Sequence, residues 1–193
     1  MKICIDPGHG GKFNNATGNG LTEKDVVLKY ASYLRNQLEH FGHEVIMTRE
    51  GDRELADDLD QDLLVRTQIA NNWGADCFIS LHCNGFPDPA AHGFEVWTSP
   101  GETSSDHLAE EILVASAAAF PEIKQRLDRS DGDGDKEAKF VVLTKTKMAA
   151  VLIEIGFLTN INDANRIKSQ VNMVAMTEAW AGAVMEWRQE WLV

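Results

Sequence analysis

ICIDPGHGGK, residues Ile3 to Lys12, passes at once from an apolar run into Asp6-Pro7-Gly8-His9-Gly10-Gly11. The short apolar run reads as a strand, and the proline and glycines mark where it breaks. Two glycine-loop chemistries fail here. A Walker loop counted back from Gly11-Lys12 puts Asp6 at its first glycine and Phe13 at its hydroxyl position. The dinucleotide fingerprint, begun at Gly8 and Gly10, meets Phe13 where a glycine is needed. What remains is either a plain turn or a histidine just past a strand end, the edge of an open α/β sheet where ligands collect.

Working outward, CFISLHCNG (Cys77 to Gly85) repeats the arrangement: an apolar run ends in His82 before Asn84-Gly85. Further short apolar runs lie at Lys2 to Ile5, Glu44 to Thr48, Phe94 to Thr98 and Ala150 to Ile155. Between the first two, Val26, Val27, Tyr30, Leu34, Leu38 and Phe41 recur at helical steps, so a helix is expected over Thr22 to His40. Others are expected over Gln61 to Trp73, stopped by Gly74, Ser105 to Phe120, stopped by Pro121, and Asn172 to Trp191. Short apolar strands alternating with helices imply an α/β fold: one domain, a mostly parallel twisted central sheet, and helices on both faces. DRSDGDGDKEAK, Asp128 to Lys139, is too polar and glycine-rich for core and is expected to be an exposed loop.

The totals narrow the partners. A chain of 193 residues with 44% hydrophobic content can bury a real core. A net charge of −12, from 18 Lys+Arg against 30 Asp+Glu, excludes a nucleic-acid partner gripped by phosphate contacts. Cys4, Cys77 and Cys83 are odd in number, and Cys4 and Cys77 sit in apolar runs, so buried thiols are expected rather than a disulfide framework. No leader-like succession opens the chain and no run is long enough for a transmembrane segment.

Two strands ending in histidine, about 4.8 Å apart if they are neighbours, can converge on one ion. Glu23, in LTEKDVV, is a third candidate. Thr22 and Asp25 would form a capping box around it, and an acidic residue in a first helical turn is favoured by about 0.3 to 1 kcal/mol without any metal. Glu154 interrupts the apolar strand of AAVLIEIGFLTN, where an unpaired carboxylate is costly, so it faces either a nearby lysine or a site at the rim. Two histidines and a carboxylate with an open position match a catalytic zinc hydrolase.

In the order IDPGHGG, EKDVVL, SLHCNG and VLIEIGFLTN, the chain resembles the zinc-dependent N-acetylmuramoyl-L-alanine amidases of the Amidase_3 type, from Lys2 to beyond Asn160. The resemblance implies one Zn2+ ion held by His9, Glu23 and His82, with Glu154 as the catalytic carboxylate. It also implies a peptidoglycan substrate, cut at the amide between the lactyl group of N-acetylmuramic acid and the L-alanine of the stem peptide. The whole chain, residues 1–193, would then be one catalytic domain with no separate wall-binding domain. It would be a monomer acting at the cell wall, in the periplasm or outside the cell. Without a signal peptide of its own, it would be a phage lysin (endolysin), an autolysin whose leader lies outside this chain, a domain of a larger protein, or a protein exported by another route.

Departures from the family pattern are few. Ala149 stands where proline is usual, and Cys83 replaces a small inert residue; Cys83 is no partner for His82, since adjacent strand residues face opposite ways. The acidic loop from Asp131 fails an EF-hand count, with Lys136 at the glycine and Val142 at the bidentate glutamate, so calcium is not expected there. No inserted inhibitory helix follows the second histidine, which implies a constitutively open cleft. His40, His43 and His107 read as ordinary helix-end or first-turn residues, while His92, before Gly93, is either an exposed turn residue or a residue bordering the cleft. Two rival readings remain: a zinc peptidase acting within the stem peptide, and a non-catalytic wall-binding or regulatory module of the same fold.

Overall fold

The computed structural model describes residues 1–191 apart from residue 131. Each apolar run forms a strand. In chain order the elements are β1 (Lys2–Pro7), the two-residue strands β2 (Thr17–Gly18) and β3 (Leu21–Thr22), α1 (Glu23–His40), β4 (Glu44–Met47), α2 (Leu59–Trp73), β5 (Cys77–Asn84) and β6 (Glu95–Thr98). Then come α3 (Ser104–Ala119), β7 (Lys136–Glu137), the single turn α4 (Val141–Thr144), β8 (Ala149–Phe157), α5 (Ile161–Ile167) and α6 (Gln170–Trp191). The main sheet has the order β4-β1-β5-β8-β6-β7; β4, β1, β5 and β8 run parallel, whereas β6 is antiparallel to β8. The expected α/β sheet is therefore mostly parallel.

Alternation sorts the strand side chains into two layers. Ile3, Ile5, Ile79, Leu81, Val151, Ile153 and Ile155 pack in one cluster with Leu34 and Leu38 of α1, Leu108 and Ile112 of α3, and Trp180 and Val184 of α6. Cys4, Phe78, Ala150 and Leu152 face the other way, onto Ala70 of α2 and Val142 and Leu143 of α4. This explains the continuous apolar character of the strands, which are covered on both faces. All three cysteines are free and buried. Cys83 lies in the first cluster, across the sheet from the layer that continues to His82, as alternation requires.

Local signals set most helix ends. Asp58 accepts the Gln61 amide (3.1 Å) at the start of α2, and Gly74 ends it at φ 70°, where a side chain would be strained. α1 departs from expectation: Thr22 makes no cap bond to the backbone and instead donates its hydroxyl to Asp25, while the Glu23 amide donates to Ala16 O (3.0 Å). The start of α1 is thus tied to the loop after β1, so the capping box is replaced by a long-range anchor. His43 is buried rather than a cationic helix-end residue, and desolvation lowers its pKa.

The polar stretch Asp128 to Lys139 also differs from an exposed loop. Lys136–Glu137 forms β7, parallel to β6 at the sheet edge, and Asp135 is buried. Residue 131 lies outside the described residues. Pairing with an edge strand outweighs low strand propensity here, because β6 offers unpaired backbone groups.

Candidate metal centre

Parallel β1, β5 and β8 end at one rim. His9 lies just past β1, while His82 and Glu154 are register partners near the ends of β5 and β8. In-register neighbours share a sheet face, so these two project together. α1 begins opposite them and buries Glu23 completely.

Glu23 Oε1 lies 3.0 Å from His82 Nδ1 and 3.1 Å from His9 Nε2, and the two rings stand edge-on with centroids 4.9 Å apart. The carboxylate is fixed by backbone amides: Cys83 N donates to Oε1 (3.0 Å) and Ala16 N to Oε2 (2.8 Å). Burial alone would raise its pKa, but the hydrogen bonds and charges of His82 and His9 outweigh this and hold Glu23 ionised. For His82, burial favours the neutral ring, yet Glu23 wins and raises the pKa. His9 Nε2 is shielded from solvent and faces Glu23 Oε1 at 3.1 Å. A converging set of two imidazoles and a carboxylate fits a divalent zinc-type ion.

Glu154 stands beside this cluster. Its Oε2 is shielded and unpartnered, and no lysine or arginine lies within ion-pair distance of it among the described residues. The structural salt bridge considered for Glu154 therefore belongs instead to its other register partner, Glu95, which takes Arg126 and Lys136 (3.3 Å). Burial raises the Glu154 pKa to about 8; the charge of His82 opposes this, while those of Glu23 and Glu95 add to it. His92 is an exposed turn residue whose Nδ1 lies 2.8 Å from Ala90 O.

Sequence reading missed the two arginines that hold the His9 loop. His9 adopts φ 60°, costing a non-glycine residue about 1 to 3 kcal/mol. Fully buried Arg49 donates to Pro7 O (2.9 Å) and Gly8 O (2.8 Å); Arg66 donates to Pro7 O (2.9 Å) and His9 O (2.7 Å). Arg66 also binds Asp6 (2.8 Å) and Asp62 (2.7 Å), and Asp6 accepts from Thr48 (2.6 Å) and Ser80 (2.8 Å). Three successive carbonyls are thereby clasped, which over-determines the strained turn. Gly8 is needed for a separate reason: a Cβ there would stand 2.3 Å from the His82 ring. The only local hint was the Asp62–Arg66 spacing, which reads as an ordinary helix pair.

The chain is similar to known proteins in both sequence and fold. A family profile described as N-acetylmuramoyl-L-alanine amidase matches residues 3–186. An N-acetylmuramoyl-L-alanine amidase of Bacillus licheniformis is 37% identical over 186 residues, covering 95% of this chain and 67% of the relative. A sporulation-specific N-acetylmuramoyl-L-alanine amidase of Bacillus subtilis is 37% identical over 171 residues, covering 88% of this chain. The chain spans 61% of that relative's length. The crystal structure of an N-acetylmuramoyl-L-alanine amidase from Clostridium difficile superposes with TM-score 0.88 at 28% identity, covering 98% of this chain and 97% of that one. By sequence and by fold, the chain belongs to the N-acetylmuramoyl-L-alanine amidase family.

Proposed function

We propose that this chain is a zinc amidohydrolase of peptidoglycan that cleaves the amide joining N-acetylmuramic acid to the L-alanine of the stem peptide. His9, Glu23 and His82 hold the ion, and Glu154 serves as general base and acid. The observation that carries this reading is the convergence of His9, Glu23 and His82, whose candidate ligand atoms all lie within 4.8 Å of one another, beside the unpartnered Glu154 Oε2 at the same rim. A zinc ion bound there supplies Lewis-acid polarisation of the amide carbonyl and lowers the pKa of water towards about 7.

The chain's own residues do the rest. Glu23 contributes a fixed anion, because two backbone amides hold both of its oxygens. Glu154 is anionic in the loaded site, since nearby positive charge favours the ionised carboxylate. Its unpartnered Oε2 takes the water proton and passes it to the leaving nitrogen. Arg49 and Arg66 act through the His9 backbone and are positioning residues. Among the described residues, no helix is long and apolar enough to cross a membrane; the enzyme acts at the cell wall.

Metal analysis after purification without added zinc is expected to find one ion per chain. Chelation should remove lysis of wall suspensions, and zinc should restore it. Binding to His82→Ala as tight as to the wild type would refute the ligand assignment. Digestion of purified sacculi, read by mass spectrometry, is expected to release stem peptides with free L-alanine amino groups and leave intact lactyl carboxylates on the glycan. Cuts inside the peptide would instead establish a peptidase. Metal bound with no product at all would establish a non-catalytic module.

A further inference from the structure

Seven acidic residues are buried among the described residues, and five of them face a cation or an imidazole. Arg66 pairs with Asp6 and Asp62, Arg126 and Lys136 with Glu95, and Arg166 with Asp163, while Glu23 faces the two histidines. Asp106 and Asp135, 9% and 1% exposed, have no lysine or arginine within ion-pair distance among the described residues. They lie together. Asp106 in the first turn of α3 and Asp133 and Asp135 in the stretch before β7 each offer an oxygen within 4.8 Å of the others.

Part of this cluster has a structural explanation. Asp106 Oδ2 accepts the Thr103 amide in the α3 capping box, and Asp135 Oδ2 accepts the buried Thr98 hydroxyl (2.6 Å). The other oxygen is unaccounted for: Oδ1 of Asp106, of Asp133 and of Asp135 is shielded from solvent with no partner, and so is Glu110 Oε2 beside Gly134. A carboxylate oxygen on a side chain 1% exposed, with two further carboxyls against it, is costly to leave unpaired. A hard cation, which takes several oxygen ligands in a flexible arrangement, relieves both the desolvation and the repulsion.

We propose that Asp106, Asp133 and Asp135 form a second cation site, distinct from the His9-Glu23-His82 centre, which binds a calcium-class divalent ion. Burial, with the charges of Asp133 and Asp106 adding to it, raises the Asp135 pKa to about 7, as expected of an acidic trio lacking its counter-charge. A linear EF-hand count could not reveal the site, because Asp106 arrives from a different element. The bound ion would tie the segment before β7 to Thr98 at the end of β6. The neighbouring Lys136 pairs with Glu95, the register partner of Glu154, so the ion braces one wall of the cleft without entering the chemistry.

The test titrates calcium chloride, with magnesium chloride in parallel, into the chain as purified, by calorimetry and thermal unfolding near pH 7.5. One saturable calcium site with Kd of about 10⁻⁵ to 10⁻³ M and a rising midpoint are expected. Asp135→Asn relieves repulsion, so its midpoint without calcium should match or exceed the wild type. Its calcium binding should weaken by about tenfold or more through loss of a charged ligand. The exposed control Glu122→Gln should keep the full response. No saturable binding up to about 10 mM, above the weakest sites of this class, would overturn the proposal, as would an undiminished response in Asp135→Asn. So would a midpoint that rises only on acidification through about pH 7, which would mean that Asp133 and Asp135 share a proton instead.

Discussion

Glu154→Gln is expected to keep its zinc and its fold while turnover on purified sacculi falls by about 10² to 10⁴, the usual contribution of general acid-base catalysis. The amide keeps the shape of the side chain but cannot take a proton at Oε2. Glu23→Gln is the contrast: on the proposed assignment it replaces an anionic ligand with a neutral one, so zinc content and activity should fall together. The pH dependence of the metal-free protein gives a second readout. Folded Glu154 holds its proton to about pH 8, against an ordinary 4.5, so its ionisation is disfavoured in the native state. Glu154 should therefore contribute a loss of stability to the metal-free wild type as pH rises from about 4.5 through about 8, and Gln, which does not titrate, should make that slope shallower. Full turnover by zinc-loaded Glu154→Gln would sink the proposed mechanism. Equal zinc loss in both variants would make Glu154 a ligand, and the roles would have to be exchanged.

Arg66→Met should cost about 3 to 5 kcal/mol, the penalty for leaving buried charges without their partner. Asp6 and Asp62 would be stranded, and the Pro7 and His9 carbonyls would each lose a donor. For a chain of this size the thermal midpoint should fall by roughly 10 °C or more. Zinc affinity should fall too, because His9 would no longer be held in its strained turn. Asp6 sharpens the acid limb. Burial raises its pKa, but Arg66 and the Thr48 and Ser80 hydroxyls outweigh that and depress it below the ordinary 3.8. Its contribution is then full above about pH 3.8 and is lost as the pH falls through the depressed folded value. In Arg66→Met the protonated Asp6 is favoured instead, so this contribution should vanish from the acid limb. Denaturant unfolding at several pH values checks both points; a loss below about 1 kcal/mol, the range of a surface pair, would mean that the clasp is dispensable.

The order of the longer strands and helices was legible from one end of the chain to the other, because strand and helix periods are local; the short β2, β3, β7 and α4 were not. The runs at Lys2, Glu44, Cys77, Phe94 and Ala150 became strands with boundaries shifted by only a residue or two at most ends. β1, β5 and β8 run past the point where the apolar pattern stops because hydrogen bonding to parallel neighbours carries them on, whereas β4 and β6 are each a residue shorter than expected. α5 was missed because the seven-residue segment Ile161–Ile167 is too short to display a helical period; its start is set by Asn160, whose side chain accepts from Asn162 N (3.0 Å) and Asp163 N (3.1 Å).

For the site, the sequence alone placed His9, His82 and Glu154 at strand ends, and parallel strands then bring those ends to one rim. Glu23 stayed ambiguous in its own segment, since a first-turn acid needs no metal. Only the fold brought the amides of Ala16 and Cys83 to its two oxygens and both histidines to one of them. The same division explains the Arg49 and Arg66 clasp, the transfer of the salt bridge from Glu154 to Glu95, the antiparallel β6, and the union of Asp106 with Asp133 and Asp135. Backbone periodicity is a property of neighbours in the chain, and sequence displays it. Which buried charge meets which partner depends on segments tens of residues apart packing together, and that leaves no local pattern to read.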